Sequence, residues 1–463
     1  MLDLDDDTIV ALATPIGSSA ISVIRISGKN SISIIENIFF SVKPGKKLEK
    51  QSTHTIHLGY IVAESNNLLD QVLVSIFKSP FSYTGENMIE ISCHGSYYIQ
   101  QQILQLIIRK GIRLARPGEF TFRAFINKKM DLSQAEAIAD LIMSENKICH
   151  EISLQHIKGS LSNTIKDLRK KLLDFVSLLE LELDFSEENV IFAKRSELFS
   201  FLQELKEILK DLIESFSLGN AIKKGIYVVI IGKPNVGKST FFNQAVQEDR
   251  SIISHIEGTT RDYVEGEIIL NGILFHFLDT AGIRKTKDPI EMMGVEKTMK
   301  KIEEAQVILY IFDSSDQEKQ KILNDIQRIQ KKYPLKNIFV IANKSDLSDF
   351  YDFENFKSKI PYFFEISSKN YHEVKRVLNV LSFLFLDKLK EKKIVVTQNR
   401  HYEALKRSLR ELSLAHNALN KGFSVDLISI YIKETLRYLG EISGEITSED
   451  ILKNIFSKFC IGK

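Results

Sequence analysis

Residues 232–239 read Gly-Lys-Pro-Asn-Val-Gly-Lys-Ser, and this stretch decides how the middle of the chain folds. It matches the pattern G-x-x-x-x-G-K-S, follows the apolar run 227–231 and precedes a segment compatible with a helix. Glycines let the backbone turn so that successive N–H groups point at phosphate oxygens, and the following helix N-terminus adds positive potential. The sequence therefore predicts a phosphate-binding loop. In it Lys238 contacts the β- and γ-phosphates, and the Ser239 hydroxyl binds Mg²⁺.

Strand-like and amphipathic segments alternate around this loop, from about residue 222 to 380, which is typical of βαβ units. A mostly parallel sheet covered by helices is therefore expected. The apolar runs are 227–231, 267–278, 306–312, 337–341 and 362–366. Asn271-Gly272 interrupts the second run and predicts a tight hairpin with an antiparallel edge strand.

Two further segments extend the phosphate site. Asp279-Thr-Ala-Gly282 ends a predicted strand, so Asp279 is placed to hold the metal through water and the Gly282 N–H to meet the γ-phosphate. The loop 254–262 lies between the phosphate loop and Asp279, and its Thr260 is the predicted second hydroxyl ligand of Mg²⁺.

Base recognition is predicted at the ends of the last two strands, on the carboxyl edge where such sheets bind ligands. Asn343-Lys-Ser-Asp346 provides a carboxylate that accepts the N1 and 2-amino donors of guanine, a donor pair that adenine lacks. Ser367-Ser-Lys369 closes over the base. Together with the phosphate motifs, these segments favour GTP over ATP. The predicted GTP-binding residues are Asn235, Val236, Gly237, Lys238, Ser239, Thr240, Ser254, His255, Ile256, Glu257, Gly258, Thr259, Thr260, Asp279, Thr280, Ala281, Gly282, Asn343, Lys344, Asp346, Ser367, Ser368 and Lys369.

Hydrolysis needs a group that polarises the attacking water. Small GTPases often carry a glutamine after D-T-A-G, but Ile283 stands here and its side chain forms no hydrogen bond to water. One substitute is a monovalent cation held by the Asn235 side-chain oxygen in place of an arginine finger. Another is Glu291, although from the residues alone a solvated loop carboxylate is the preferred interpretation of Glu291.

Composition sets the broad class. The chain has 463 residues, and 62 Lys and Arg against 60 Asp and Glu leave 62 − 60 = +2, which excludes a broadly basic nucleic-acid coat. Hydrophobic residues at 44% and charged residues at 26% indicate a globular protein. Three scattered cysteines fit a reducing compartment. An acidic N-terminus and the lack of an apolar run of membrane-spanning length predict a cytoplasmic protein with no membrane contact.

The spacing of hydrophobic residues differs among four stretches of the chain, which predicts a multidomain protein with α/β and all-α parts. Residues 1–120 form a mixed α/β domain, 121–218 a first helical segment, 219–382 an inserted Ras-like GTPase domain with a phosphate loop, and 383–463 a second helical segment. The two helical segments are expected to pack together as one domain. Two separate helical domains remain the alternative.

The remaining motifs resemble one family over essentially the whole chain. The C-terminus reads Phe459-Cys-Ile-Gly-Lys463, a highly specific ending. Further matching segments are Ala13-Thr-Pro15, Ile24–Gly28, Thr84-Gly-Glu86, His94-Gly95, Arg116–Phe120 and Asp131–Leu141. With the GTPase motifs, they resemble the tRNA modification GTPases called MnmE or TrmE, which are TrmE-Era-EngA-like GTPases.

This resemblance implies a reaction and its partners. Family members act with an FAD-dependent partner, in a heterotetramer or larger complex, to add a carboxymethylaminomethyl or aminomethyl group to C5 of the wobble uridine (U34) of certain tRNAs. The one-carbon unit comes from a tetrahydrofolate derivative (the 5,10-methylene or 5-formyl form) bound by the N-terminal domain, which also dimerises. By position, the folate contacts are Arg25, Glu90, Lys129 and Lys463. From the residues alone, ordinary strand and surface residues would be the preferred interpretation of all four.

The resemblance also implies how hydrolysis is activated. K⁺ lies beside the phosphates, held by Asn235, Ser254, Ile256 and Thr259, and promotes contact between the GTPase domains of a homodimer. Glu291 matches the family's water-orienting glutamate, so Glu291 and Lys238 become the predicted catalytic residues, with Mg²⁺ on Ser239 and Thr260. Cys460 is implicated in the modification step, against the competing interpretation of a partly buried C-terminal thiol.

Two questions stay open at the level of sequence. A basic cluster serves folate, tRNA or neither, and a solvated face is at least as good an interpretation; its members are Arg109, Lys110, Arg113, Arg116, Arg123, Lys128 and Lys129. The alternative function is a GTP-switched ribosome or RNA assembly factor without folate chemistry.

Overall fold

A computed structural model describes residues 7–63, 67–184, 195–246, 264–279, 303, 305–347 and 353–463. The chain divides into two compact units. The first unit contains Met1–Ile142, Gln155–Arg195 and Asn417–Lys463, and the second contains Met143–Leu154 and Ser196–His416. The four boundaries expected from the sequence remain predictions.

The described residues form strands and helices that are numbered here in chain order. The strands are β1 Ile9–Leu12, β2 Ser19–Ser27, β3 Phe39–Ser41, β4 Thr55–Val62, β5 Leu68–Phe77, β6 Met88–Gly95, β7 Arg113–Leu114, β8 Ile226–Ile231, β9 Val264–Leu270, β10 Ile273–Asp279, β11 Val307–Asp313, β12 Asn337–Asn343 and β13 Tyr362–Ile366. The helices are α1 Ser31–Glu36, α2 Tyr97–Arg109, α3 Glu119–Ile126, α4 Leu132–Ile142, α5 Lys147–Ile157, α6 Ser160–Asp184, α7 Arg195–Lys224, α8 Lys238–Val246, α9 Lys319–Lys332, α10 Glu354–Lys357, α11 Tyr371–Glu391, α12 Asn399–Asn420, α13 Val425–Ser443 and α14 Glu449–Phe456.

A seven-stranded sheet organises the first unit, in the order β3-β4-β5-β6-β2-β1-β7. Neighbouring strands are antiparallel, except that β1 and β7 are parallel. Alternation along the strands buries Ile24 and Ile26 of β2 and Val72 and Val74 of β5 on one face, which packs on α1 and α2. The runs 21–26, 71–77 and 88–92, which are rich in β-branched residues, lie in β2, β5 and β6.

Helices complete the first unit. In α6 an apolar stripe at helical spacing is buried at Ile165, Leu168, Leu172 and Leu179, and this helix packs along α13. The last helix, α14, packs on α3, where the rings of Phe122 and Phe456 meet at 5.2 Å. The C-terminal segment is therefore tied to the N-terminal part of the same unit.

The second unit is built on a six-stranded sheet in the order β13-β12-β11-β8-β10-β9. All pairs are parallel except β9 with β10, which join at Asn271-Gly272 as predicted. Buried side chains of α8 and α11 cover one face, and those of α9 and α10 cover the other. The expected α/β fold class is confirmed.

Parallel strands bring their carboxyl ends to one edge of this sheet. The phosphate loop follows β8, Asp279 ends β10, Asn343 ends β12, and Ser367 follows β13. The topology therefore gathers motifs that are far apart in sequence.

None of the helices within the described residues combines the length and apolar character needed to cross a membrane.

Candidate functional site

The phosphate loop occupies the turn between β8 and α8. Lys238 is the first residue of α8 and is only 6% exposed. Its Nζ donates hydrogen bonds to the carbonyl oxygens of Gly232 at 2.9 Å and of Lys233 at 2.8 Å. These bonds fix the ammonium against the loop, where the motif places the cation that meets a phosphate.

Asn343 ties the phosphate loop to the base-side segments. Its Nδ2 donates to the Val236 carbonyl at 2.7 Å, and its Oδ1 accepts the Ser368 N–H at 2.8 Å. The side chain is 2% exposed, so neighbouring atoms enclose it on nearly all sides. Gly237 has φ +95°, and a Cβ added to it would lie 2.2 Å from Asn343 Nδ2. Only glycine fits there.

A neighbouring ion pair holds Lys344. This residue has φ 65°, and its Nζ lies 2.6 Å from Oδ2 of Asp313 at the end of β11. Burial alone would raise the pKa of Asp313, but hydrogen bonds from Lys344 and Ser315 outweigh it and lower that pKa. Sequence reasoning missed Asp313, and its place at a strand end on the same edge was the signal available.

Asp346 presents the predicted guanine acceptor. A hydrogen bond from the Ser367 hydroxyl, and the charge of Lys369 3.7 Å away, lower the pKa of Asp346. The carboxylate is therefore ionised at neutral pH, and 38% of the side chain is exposed. It is an available acceptor for two N–H donors of a base, although its role in binding remains a prediction.

A second ion-pair set braces the phosphate loop from outside. Nζ of Lys233 lies 2.8 Å from Asp316 and 3.4 Å from Glu318, both in the segment after β11. These contacts were not predicted, because no motif marks a carboxylate that acts from another loop.

The described metal-ligand candidates are oxygen donors, which suit both predicted cations. Asn235 is exposed with φ 63°, and the contacts of the described residues include no hydrogen bond of its side-chain amide. Ser239 is exposed in the first turn of α8. The side chain of Asp279 and the predicted residues Ser254, His255, Ile256, Glu257, Gly258, Thr259, Thr260, Thr280, Ala281, Gly282 and Glu291 lie outside the described residues.

In the first unit, three of the predicted folate residues converge. The Arg25 guanidinium donates to Oε1 of Glu90 at 2.8 Å, and its Nη1 donates to the Gly462 carbonyl at 3.0 Å. It lies 5.5 Å from the ring of Tyr83. Burial, and then the charge of Arg25, lower the pKa of the adjacent Lys463 ammonium. The C-terminus therefore docks beside the Arg25–Glu90 pair.

Lys129, the fourth predicted folate residue, is held elsewhere. Its Nζ donates to the Pro80 carbonyl at 2.9 Å, and the contacts of the described residues do not join it to Arg25, Glu90 or Lys463. Cys460 is exposed, so the interpretation of a partly buried thiol is wrong.

The basic cluster is not a uniform solvated face. Arg123 is 3% exposed and pairs with Asp7 at 2.7 Å and with Glu86 and Glu119 at 3.2 Å. Arg113 pairs with Asp7 and Glu119 at 2.7 Å. Two of its members are therefore neutralised inside the unit.

Two family descriptions match consecutive parts of this chain. The family description "GTP-binding protein TrmE N-terminus" matches residues 8–129, and "MnmE helical domain" matches residues 132–460. The chain belongs to the MnmE family of tRNA modification GTPases. The second match includes the helices before and after the six-stranded sheet as well as the sheet itself.

Full-length MnmE relatives support this assignment. Proteins named tRNA modification GTPase MnmE are 51% identical in Flavobacterium psychrophilum, 49% in Flavobacterium johnsoniae and 44% in Bacteroides thetaiotaomicron. Each alignment covers 99% of this chain and at least 99% of the relative. Among solved structures, the FeoB G-domain from Methanococcus jannaschii aligns with 35% of this chain and 99% of its own, at 20% identity and a TM-score of 0.27.

Proposed function

We propose that this GTP hydrolase of tRNA modification adds a carboxymethylaminomethyl or aminomethyl group to C5 of the wobble uridine, U34. It would do so with an FAD-dependent partner, in a heterotetramer or larger complex, using a methylene-tetrahydrofolate one-carbon unit. The family assignment supports the general activity. The folate part of this proposal is supported by the cluster around Arg25.

That cluster is the observation that carries the folate proposal. Arg25 on β2 donates to Glu90 on β6 and to the Gly462 carbonyl, and the charge of Arg25 acts on the neighbouring Lys463 ammonium. Cations suit the anionic glutamyl tail of a folate, and a carboxylate pairs with the N–H edge of a pterin. The aromatic ring of Tyr83 under Arg25 adds an apolar surface suited to a flat ring system.

GTP recognition follows from the second unit. Asp346 accepts the guanine donors, Lys238 meets the terminal phosphates, and the amides after Gly232 orient them. Mg²⁺ on Ser239 and Thr260 and K⁺ on Asn235, Ser254, Ile256 and Thr259 would supply positive charge as the phosphate bond breaks. Glu291 is the proposed group that orients water, since Ile283 forms no hydrogen bond to it.

A homodimer is supported by the outer face of the seven-stranded sheet. Large apolar side chains alternate outward on β3, β4 and β5: Phe40 is 55% exposed, Ile56 66%, Leu58 47% and Leu73 44%. Leu58 and Leu73 are directly paired across neighbouring strands, so these side chains form one patch. A contiguous exposed apolar patch marks an interaction surface, and a second copy of the same sheet would cover it. The proposed location is the cytoplasm.

Two measurements on the full chain test this function. The first is calorimetric titration with 5-formyltetrahydrofolate. Wild type is expected to bind, Glu90→Gln to bind at least about tenfold more weakly because a charge-assisted hydrogen bond is lost, and the exposed control Glu207→Gln to bind normally. The second is mass spectrometry of wobble uridine in tRNA from cells lacking the protein. If the full chain binds no folate and the deletion leaves the level of modified wobble uridine unchanged, a GTP-switched assembly factor is favoured.

A further inference from the structure

His94 and Asp70 form a tightly bonded pair that the nucleotide and folate sites do not use. Nδ1 of His94 lies 2.6 Å from Oδ1 of Asp70, and the His94 backbone N–H donates to Oδ2 at 2.8 Å. The carboxylate is 7% exposed, whereas the imidazole is 68% exposed. A buried carboxylate thus holds one ring nitrogen of a histidine whose other nitrogen faces solvent.

The pair lies where two strands part. Strands β5 and β6 are paired from Phe77–Met88 to Leu73–Ser92, and His94 is two residues beyond the last pair. The Asp70 carboxylate accepts the His94 backbone N–H there, in place of a strand carbonyl. The backbone N–H at position 94 needs an acceptor because β5 offers it no carbonyl. That need does not explain the histidine side chain, since nearly every residue has a backbone N–H.

The side chain of His94 belongs to the outer face of the sheet. In the pairing of β2 with β6, Arg25 lies opposite Glu90 and Ile21 opposite His94. Glu90 and His94 are four residues apart on one strand, so they point to the same face about 13 Å apart. A strip along β2 and β6 therefore leads from the folate cluster to the imidazole.

We propose that His94 is a proton-transfer residue for the one-carbon chemistry carried out on this strip, with Asp70 as its positioning residue. The inference rests on the proposed folate function and adds a role for the His94-Gly95 motif. The bond to Asp70 holds hydrogen on Nδ1, which leaves the lone pair on Nε2 directed outward.

The proposed step balances without an oxidant or reductant. A proton passes from an N–H or O–H group of the bound folate, or of the nucleophile that attacks its one-carbon unit, to Nε2. The electron pair of the broken bond stays on the substrate. The imidazolium keeps its Nδ1–H bond to Asp70, whose negative charge compensates the new positive charge. Return of the proton to the product restores the neutral ring.

The charges around the ring are consistent with this role. Asp70 on β5 contacts Nδ1 of the ring, Ile21 of β2 is paired with His94, and the adjacent Cys93 belongs to the core. Burial, and then the charge of Asp70, raise the pKa of Cys93 to about 11, so this thiol stays protonated and does not compete for the proton.

The test uses the full chain with its FAD-dependent partner, unmodified tRNA, GTP and 5,10-methylenetetrahydrofolate. Wobble product is measured in single turnovers from pH 6 to pH 9. His94→Asn keeps a side-chain N–H for Asp70 but has no basic nitrogen, so the expected rate is ~10²- to 10⁴-fold lower. Folate affinity and GTP hydrolysis are expected to stay at wild-type values. The control is His54→Asn, an exposed loop histidine of the same unit.

Asp70→Asn supplies the readout that a merely structural pair would not move. It keeps an oxygen that accepts the His94 backbone N–H, but its amide N–H donates to Nδ1 and so places the hydrogen of the ring on Nε2. The single-turnover rate is therefore expected to fall about as far as in His94→Asn, while folate affinity, GTP hydrolysis and thermal stability stay at wild-type values.

Each outcome decides the matter. A wild-type rate and profile in His94→Asn overturn the inference, and so does a loss of folate affinity equal to the loss of rate. A wild-type chain that binds no reduced folate overturns the proposed function, and the inference with it.

Discussion

The two candidate sites are assembled in opposite ways. The nucleotide site takes its groups from short motifs at the end of parallel strands, and Asn343 alone joins two of those segments. The folate cluster joins Arg25 to the carbonyl of Gly462, which is 437 positions away. A site of the first kind depends on backbone shape, whereas a site of the second kind depends on how the chain ends are docked.

This difference predicts in which site a glycine-to-alanine substitution weakens ligand binding most. In the nucleotide site the backbone itself is the ligand, so a backbone error is felt directly. In the folate cluster the ligands are long side chains that adjust to small displacements.

Gly237→Ala is expected to have the largest effect. The added Cβ would meet Asn343 Nδ2 at 2.2 Å while the backbone stays at φ +95°. Strain of this kind costs about 1–3 kcal/mol, and the displaced Asn343 adds to it, so GTP affinity should fall more than about 100-fold. Fluorescent-nucleotide titration measures this. Gly422→Ala, at φ +70° with nothing within 4 Å, is the control and should bind GTP normally.

Asp346→Asn comes next. The variant loses a charged acceptor for guanine, which is worth about 1.5–3 kcal/mol, so GTP affinity should fall roughly 10- to 100-fold. Affinity for xanthosine triphosphate should rise, because its ring presents an acceptor where guanine has the 2-amino group. Competition binding with both nucleotides measures the ratio. An unchanged preference for guanine would remove Asp346 from base recognition, and Asp325→Asn serves as the surface control.

The nucleotide half was predictable because its signals are local. Strand runs and Asn271-Gly272 gave the sheet and hairpin, since each follows from hydrophobic periodicity or turn chemistry within a few residues. Asp313 and the Lys233–Asp316 pair were missed, because an ion pair between loops leaves no spacing in the sequence.

The residues of the folate cluster could be predicted only from the family resemblance. Arg25 and Glu90 read as ordinary strand residues until the structure pairs them, and Lys463 acquires a neighbour only when the tail docks. The burial of Arg123 could not be predicted from the sequence either. Charged residues are rarely buried unless paired, and the partners Asp7 and Glu86 are remote in sequence.

Gly462→Ala tests how much the folate cluster depends on docking of the tail. Gly462 has φ +94°, and an added Cβ would lie 2.6 Å from the Leu12 carbonyl oxygen. The tail must lift, which separates Gly462 from Arg25 and moves Lys463. About tenfold weaker binding of 5-formyltetrahydrofolate is expected, corresponding to about 1.4 kcal/mol. GTP affinity should not change. Weakened GTP binding and intact folate binding would reverse the comparison between the two sites.

The smallest expected effect is on stability, through the carboxylates around Arg123. Burial alone would raise the pKa of Glu119, but hydrogen bonds from Arg113 and the Arg116 N–H outweigh it and lower that pKa. Such a group stabilises the fold above its unfolded pKa, near 4.5, and the contribution is lost as the pH falls through the lower folded value.

Glu119→Gln should therefore be less stable than wild type by about 1 kcal/mol at pH 7, the usual scale for one hydrogen bond. The difference should shrink as the pH falls below 4, because wild type then loses the same charge. Thermal unfolding midpoints between pH 3 and pH 7 measure it. Glu207→Gln removes an exposed carboxylate paired with Lys210 and should change stability by less than about 0.5 kcal/mol. A difference for Glu119→Gln that stayed constant with pH would mean that its side chain stabilises the unit by packing, and that its charge does not.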